Sequence, residues 1–185
     1  MKGANSSVAP RYVPWDIEVA RINFGANCGP ASFATATRRE VCRIMQYFAH
    51  FDHSPWTTLT QMRRAFLAAG QAIEVYRCRM PTRGVVLVQW LGPWTQKDLF
   101  SRWSLVHTHW IAVEDEWIFD CTAGEWQTRF EWQRRTASAF LSDIPHACGW
   151  AVKYGIEVIT SHSNWLGSET GASDSVCGEA SNLDS

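Results

Sequence analysis

The chain has 185 residues, of which 46% are hydrophobic and 13% aromatic, and its formal net charge is −1. This length predicts one domain with an apolar core, and the composition excludes an intrinsically disordered chain. We expect no nucleic acid as a partner because there is no excess of positive charge, and no membrane because no stretch approaches about 20 consecutive apolar residues.

The N-terminal residues 1–14 are polar and interrupted by proline, which predicts a flexible arm. They contain no apolar segment typical of a secretory signal, so we expect a cytoplasmic protein. In that compartment the six cysteines are expected to be reduced thiols. None of them forms a CxxC pair, and we expect neither a metal site nor a cofactor.

The first part of the domain is predicted to be helical. Apolar side chains recur every three to four residues over 29–48, which indicates one amphipathic helix. A second helix is expected over 59–69, with Thr57 or Thr58 as its cap and Gly70 as its stop.

After Gly70 the apolar pattern changes to a period of two, which predicts an antiparallel sheet. Residues 161–185 are rich in serine and acidic residues without Lys or Arg, which predicts a disordered tail. Helices followed by strands indicate an α+β fold over 15–160. The expected strands are 72–79, 85–90, 107–113, 117–122 and 150–159, with one more short helix over 131–140.

Cys28 is the candidate nucleophile because it stands at the predicted start of the first helix. There it meets the positive end of the helix dipole and unpaired backbone N–H groups, and both favour a thiolate. The same N–H groups are suited to bind the negative oxygen of a carbonyl under attack. A cysteine that only packs in the core is the alternative interpretation.

His109 and Asp120 form a candidate pair on two neighbouring strands. Side chains alternate along a strand, so the length of the connecting turn decides whether the two share a face. A two-residue turn places Asp120 diagonal to His109, a four-residue turn places it directly opposite, and a three-residue turn moves it to the other face. His107 lies on the same face as His109 and is a rival base.

A thiol, an imidazole and an acid that orients the imidazole are the groups that a thiol hydrolase needs. The motifs NCGPAS, THWIAV and WIFD, in this order, resemble those of the papain-like cysteine peptidases, most closely the small bacterial domains related to double-glycine leader peptidases. The resemblance covers roughly 22–122. It implies a papain-like fold, in which N-terminal helices pack on a C-terminal antiparallel sheet, with Cys28 as nucleophile, His109 as base and Asp120 as orienting acid.

The sequence departs from this family at position 22, where Ile22 replaces the glutamine that usually contributes to the oxyanion hole. Asn23 and Asn27 are the nearest amides and therefore the candidate donors, unless the backbone N–H of Cys28 acts alone. Trp90 and Trp110 are candidates for lining a substrate cleft.

The sequence therefore predicts a cysteine peptidase or isopeptidase that acts on a protein or peptide through a thioester. An acyltransferase or glutamine deamidase would use the same three groups, and a binding module without activity would account for the missing glutamine. The composition, rich in Arg and Trp with few Lys, is compatible with a bacterial or phage source. The sequence does not predict the oligomeric state.

Overall fold

A computed structural model describes residues 11–18, 22, 28–52, 56–95 and 107–159. Within these ranges the chain is an α+β protein with a six-stranded antiparallel sheet. The helices are α1 (Cys28–Thr37), α2 (Val41–Ile44), α3 (Leu59–Ala68), α4 (Arg129–Trp132) and α5 (Ser138–Asp143). The strands are β1 (Ile73–Arg77), β2 (Arg83–Leu91), β3 (Thr108–Glu114), β4 (Trp117–Asp120), β5 (Glu125–Thr128) and β6 (Gly149–Val158).

In the part of the chain that is described, three shorter helical segments connect these elements: 3₁₀ helices over Met45–Asp52 and Pro93–Thr95, and a π-helical turn over Gln133–Ala137. No helix within the described ranges is both long and apolar enough to cross a bilayer. The predicted tail over 161–185 and the first ten residues of the predicted arm lie outside the described residues.

The single helix predicted over 29–48 is wrong, because the chain leaves the helix at Arg38, whose φ is +54°. Helical structure resumes at Val41, where the Asp16 carboxylate accepts hydrogen bonds from the N–H groups of Val41 and Cys42 at 2.8 and 2.9 Å. These are N–H groups that a new helix leaves unpaired. The apolar pattern is continuous over 29–48, but a capping residue from a distant part of the chain starts a second helix within it.

The predicted flexible arm over 1–14 is too long at its C-terminal end. The Arg11 guanidinium lies over the Trp117 ring, 4.3 Å from its centroid. The Tyr12 carbonyl accepts a hydrogen bond of 2.9 Å from the Trp126 indole N–H. The chain is thus attached to the sheet from Arg11 onwards.

The second predicted helix is confirmed as α3. The Thr58 hydroxyl accepts from the backbone N–H of Gln61, and the Gln61 side chain accepts from the backbone N–H of Thr58. This reciprocal capping box fixes the start of the helix. Gly70 ends it with φ +75°, a conformation that favours glycine.

The sheet has the strand order β1-β6-β2-β3-β4-β5, and every neighbouring pair is antiparallel. The five predicted strands are present with small shifts at their ends, whereas β5 was not predicted. Alternate residues of the central strands point into two separate cores. One core contains residues of α1 and α3, and the other contains Trp132 of α4 together with Phe140 of α5. Both faces of the sheet are therefore covered by helices.

Candidate active site

The turn between β3 and β4 has two residues, one of the two lengths that place the predicted acid beside the predicted base. Glu114 pairs with Trp117 in the β3–β4 register, which leaves Asp115 and Glu116 as the turn. Asp115 adopts φ +55°, as turns of this kind require. The register extends to an Asp120 that lies diagonal to His109.

His109 and Asp120 form a buried hydrogen-bonded pair. The distance between His109 Nε2 and Asp120 Oδ2 is 3.0 Å, and the two residues are 7% and 0% exposed. Asp120 also accepts hydrogen bonds of 2.9 Å each, from the Trp132 indole N–H at Oδ2 and from the Thr122 backbone N–H at Oδ1. Three hydrogen bonds therefore fix the orientation of the carboxylate.

These contacts keep Asp120 ionised. Burial alone would raise the pKa of the Asp120 carboxyl, but the His109 charge and the hydrogen bonds from His109, Trp132 and Thr122 lower it below its ordinary value. Because the carboxylate engages Nε2, the other imidazole nitrogen, Nδ1, is left for a partner on the opposite side of the ring.

Cys28 is that partner. It is the first residue of α1, is partly exposed, and is hydrogen-bonded to the His109 side chain. Burial would raise the pKa of the Cys28 thiol, but the hydrogen bond and charge of His109 and a hydrogen bond from the Trp110 backbone outweigh it and lower the pKa. The structure thus brings all three predicted catalytic residues together.

The imidazole carries the complementary charge. Burial would lower the pKa of His109, but the charge and hydrogen bond of Asp120, supported by the contact with Cys28, raise it to about 10. A lowered pKa on the thiol and a raised pKa on the imidazole both favour a thiolate–imidazolium pair. Such a pair holds a nucleophile and a proton donor ready in one site.

The prediction that Trp90 and Trp110 line a substrate cleft is wrong. These side chains are 1% and 2% exposed, and they lie in the two cores. The Trp110 indole N–H donates to the Thr57 carbonyl at 2.8 Å, and the Trp90 ring stacks on Phe140. A tryptophan pattern alone does not distinguish a groove from a core. The predicted oxyanion residues, Asn23 and Asn27, lie outside the described residues.

The rival base, His107, is directed elsewhere. Its ring packs on Trp94 with a centroid distance of 4.5 Å, and its φ is +59°. Of the two histidines, only His109 is hydrogen-bonded to Cys28. His107 therefore provides a natural control for experiments on His109.

A metal interpretation of the same groups is not supported. Donor atoms of His109, Asp120 and Cys121 lie within 4.8 Å of one another. Both carboxylate oxygens, however, already accept protein hydrogen bonds, and one of these comes from His109 itself. A cation placed between His109 Nε2 and Asp120 Oδ2 would have to break the hydrogen bond that joins these two atoms.

Gly29 allows Thr57, in the segment before α3, to pack closely against the start of α1. A Cβ at this position would lie 2.3 Å from Thr57 Oγ1 and 2.7 Å from Thr57 Cβ. We expect Gly29→Ala to destabilise the protein by about 1–3 kcal/mol through overpacking, although alanine is the better helix former. Chemical denaturation measures this loss.

Thr57→Ala provides the control because it removes the hydroxyl that the new methyl group meets. In a Gly29→Ala/Thr57→Ala double variant, part of the lost stability is expected to return. If the two changes were simply additive, the contact between residues 29 and 57 would not be the cause.

Two side chains around the pair, Trp132 and Phe140, were not identified from the sequence. The Phe140 ring packs on the His109 ring with a centroid distance of 4.9 Å. One signal was present: Thr128 and Glu131 form a capping box that marks the start of α4. It predicts a helix start at 129, close to Asp120, although not the direction of either ring.

In the comparisons with known proteins, no family model, no curated protein and no solved structure matches this chain. The functional interpretation therefore depends on the geometry of Cys28, His109 and Asp120.

Proposed function

We propose that the protein is a cysteine-dependent hydrolase of the papain-like type, which attacks an amide or isopeptide carbonyl of a protein or peptide. One observation carries the proposal: a single buried imidazole, His109, is hydrogen-bonded to both the Cys28 thiol and the Asp120 carboxylate. A cytoplasmic location, where thiols stay reduced, fits this chemistry. The five described cysteines form no disulfide with one another, which is consistent with it.

In the proposed reaction the Cys28 thiolate attacks the carbonyl carbon, and a C–S bond forms as the carbonyl oxygen becomes negative. Backbone N–H groups at the start of α1 are suited to bind that oxygen. The His109 imidazolium then donates its proton to the leaving amine, and the C–N bond breaks to leave a thioester. Water then attacks the thioester carbon and gives one proton to His109 as a C–O bond forms. The C–S bond breaks, the acid product leaves, and the Cys28 thiolate and His109 imidazolium are restored.

Asp120 acts through His109 rather than on the substrate. It accepts a hydrogen bond from the Nε2–H group, which directs Nδ1 towards Cys28, and its negative charge stabilises the imidazolium. An acyltransferase would share these steps up to the thioester and differ only in the acceptor. The mass of the product separates hydrolysis from transfer to an amine.

The proposal predicts that iodoacetamide alkylates Cys28 faster than any other cysteine at neutral pH. Cys78 and Cys148 are more exposed, so they would react first if access alone set the rate. Because the pKa of Cys28 is lowered, its rate should persist as the pH falls below the range of an ordinary thiol. Peptide mass spectrometry after timed labelling gives the rate at each cysteine.

The two histidines provide the matched test. His109→Ala should reduce the Cys28 rate at neutral pH to that of an ordinary thiol, whereas His107→Ala should leave it unchanged. Equal labelling of Cys28, Cys78 and Cys148 in the unmodified protein would contradict the proposed function.

A further inference from the structure

The helical segment that follows β5 contacts both members of the His109–Asp120 pair. The Trp132 indole N–H, at the end of α4, donates to Asp120 Oδ2 at 2.9 Å. This is the oxygen that also accepts from His109 Nε2. The Phe140 ring, in α5, packs on the His109 ring. One continuous segment thus touches the acid with one side chain and the base with another.

The π-helical turn between them explains how both side chains face the site. In a plain α-helix, residues eight apart point about 80° away from each other. A π turn accommodates one additional residue, so Trp132 and Phe140 are oriented like residues seven apart, about 20° from a common face. The Thr136 hydroxyl donates to Gln127 Oε1 at 2.9 Å and attaches this turn to β5.

The surroundings make the two contacts rigid. Trp132 is 0% exposed and lies against Trp90 and, edge-on, against Trp150, with ring centroid distances of 6.3 and 5.3 Å. Phe140 is partly buried and stacks on Trp90 at 5.0 Å. Packing between aromatic rings therefore fixes the donor on Asp120 and the cover over His109.

We propose that Trp132 and Phe140 are positioning residues of the catalytic site: Trp132 fixes the Asp120 oxygen that orients His109, and Phe140 shields this pair from water. The inference depends on the proposed function, because the pair matters only if His109 serves Cys28. The hydrogen bond from Trp132 lowers the pKa of Asp120, so removing this N–H should raise that pKa. Asp120 would then be protonated at a higher pH, and Cys28 should lose its reactivity at a higher pH as well.

The charged and titratable groups near Asp120 come from several elements, and none of them is altered by the test. Within the described ranges they are His109 on β3, Cys28 at the start of α1, Cys121 next in the chain and Glu125 opposite on β5, which lies 4.0 Å from Arg135 of the π turn.

Trp132→Phe in the full chain tests the proposal, because it keeps a ring in the core and removes only the indole N–H and the second ring. We expect the rate at which iodoacetamide alkylates Cys28 to fall about tenfold at neutral pH. We also expect the acid limb of its pH profile to shift upwards. Trp126→Phe is the matched control, since it removes an indole N–H that donates to the Tyr12 carbonyl and not to Asp120.

A second variant, Phe140→Ala, keeps the proposal testable if Trp132→Phe does not fold. It should slow Cys28 alkylation in the same direction, while Phe130→Ala, at a 71% exposed position of the same segment, should not. Titration of the His109 ring by NMR gives a readout that does not require alkylation of Cys28.

The outcomes separate the two proposals. If Cys28 of the unmodified chain is no more reactive than Cys148, the proposed function fails, and an unchanged His109 titration in Trp132→Phe would then overturn the positioning role as well. If Cys28 is reactive but Trp132→Phe and Trp126→Phe have the same acid limb, only the positioning role is wrong.

Discussion

Replacing Cys28 with serine is expected to abolish the acyl-enzyme burst with an activated nitrophenyl ester and to slow acylation about 10⁴-fold or more. The physical reason is the loss of the thiolate. His109 lowers the pKa of the Cys28 thiol and so favours its anion, but a serine hydroxyl stays protonated. The serine would have to lose its proton during the attack, at an imidazole that already carries one.

An ester is a suitable probe because it does not require the natural substrate to be known. The burst amplitude in the unmodified protein should equal one acyl group per chain, located on Cys28 by peptide mass spectrometry. Cys148→Ser is the matched control, since it makes the same chemical change at an exposed thiol outside the site. A burst that survives in Cys28→Ser, or that disappears in Cys148→Ser, would exclude Cys28 as the nucleophile.

The local geometry of the site could be predicted because it depends on short stretches of sequence. Strand alternation showed that a two-residue or a four-residue turn would place Asp120 beside His109, and the structure has the two-residue turn. The position of Cys28 at a helix start was likewise predicted, since Gly29 and Pro30 mark a helix N-terminus. The contact between the Cys28 thiol and His109 joins residues that are far apart in the sequence. Only the order of the motifs indicated it.

Features that depend on distant contacts were not predictable in the same way. The break in the first helix requires Asp16 to cap Val41 from 25 residues away. The cores on the two faces of the sheet bury Trp90 and Trp110, which alternation assigns to opposite faces without indicating what covers them. The π turn that directs Trp132 and Phe140 has no signature in the apolar pattern.

The surroundings of Asp120 distinguish a carboxylate from a carboxamide, although both have nearly the same shape. Three N–H donors point at its two oxygens: those of His109 and Trp132 at Oδ2 and that of Thr122 at Oδ1. An asparagine has one oxygen and one NH₂ group, so one of its two positions must place a donor against a donor. At a residue that is 0% exposed, no water relieves that conflict.

Asp120→Asn is therefore expected to reduce Cys28 acylation about 10³-fold and to destabilise the fold by about 1–3 kcal/mol. Without the carboxylate the pKa of His109 falls from about 10, because the charge and hydrogen bond of Asp120 oppose the effect of burial. A neutral His109 no longer lowers the pKa of Cys28, and this loss exceeds the small gain from removing the repulsion between Asp120 and the thiolate.

The alkylation profile of Cys28 should consequently move to higher pH in Asp120→Asn, towards that of an ordinary thiol. Asp115→Asn, in the exposed turn of the same hairpin, is the matched control and should leave both the profile and the acyl burst unchanged. Denaturation curves for both variants separate the loss of stability from the loss of reactivity. A Cys28 profile that stays acid-shifted in a folded Asp120→Asn protein would show that His109 needs no orienting carboxylate and that the site is a dyad.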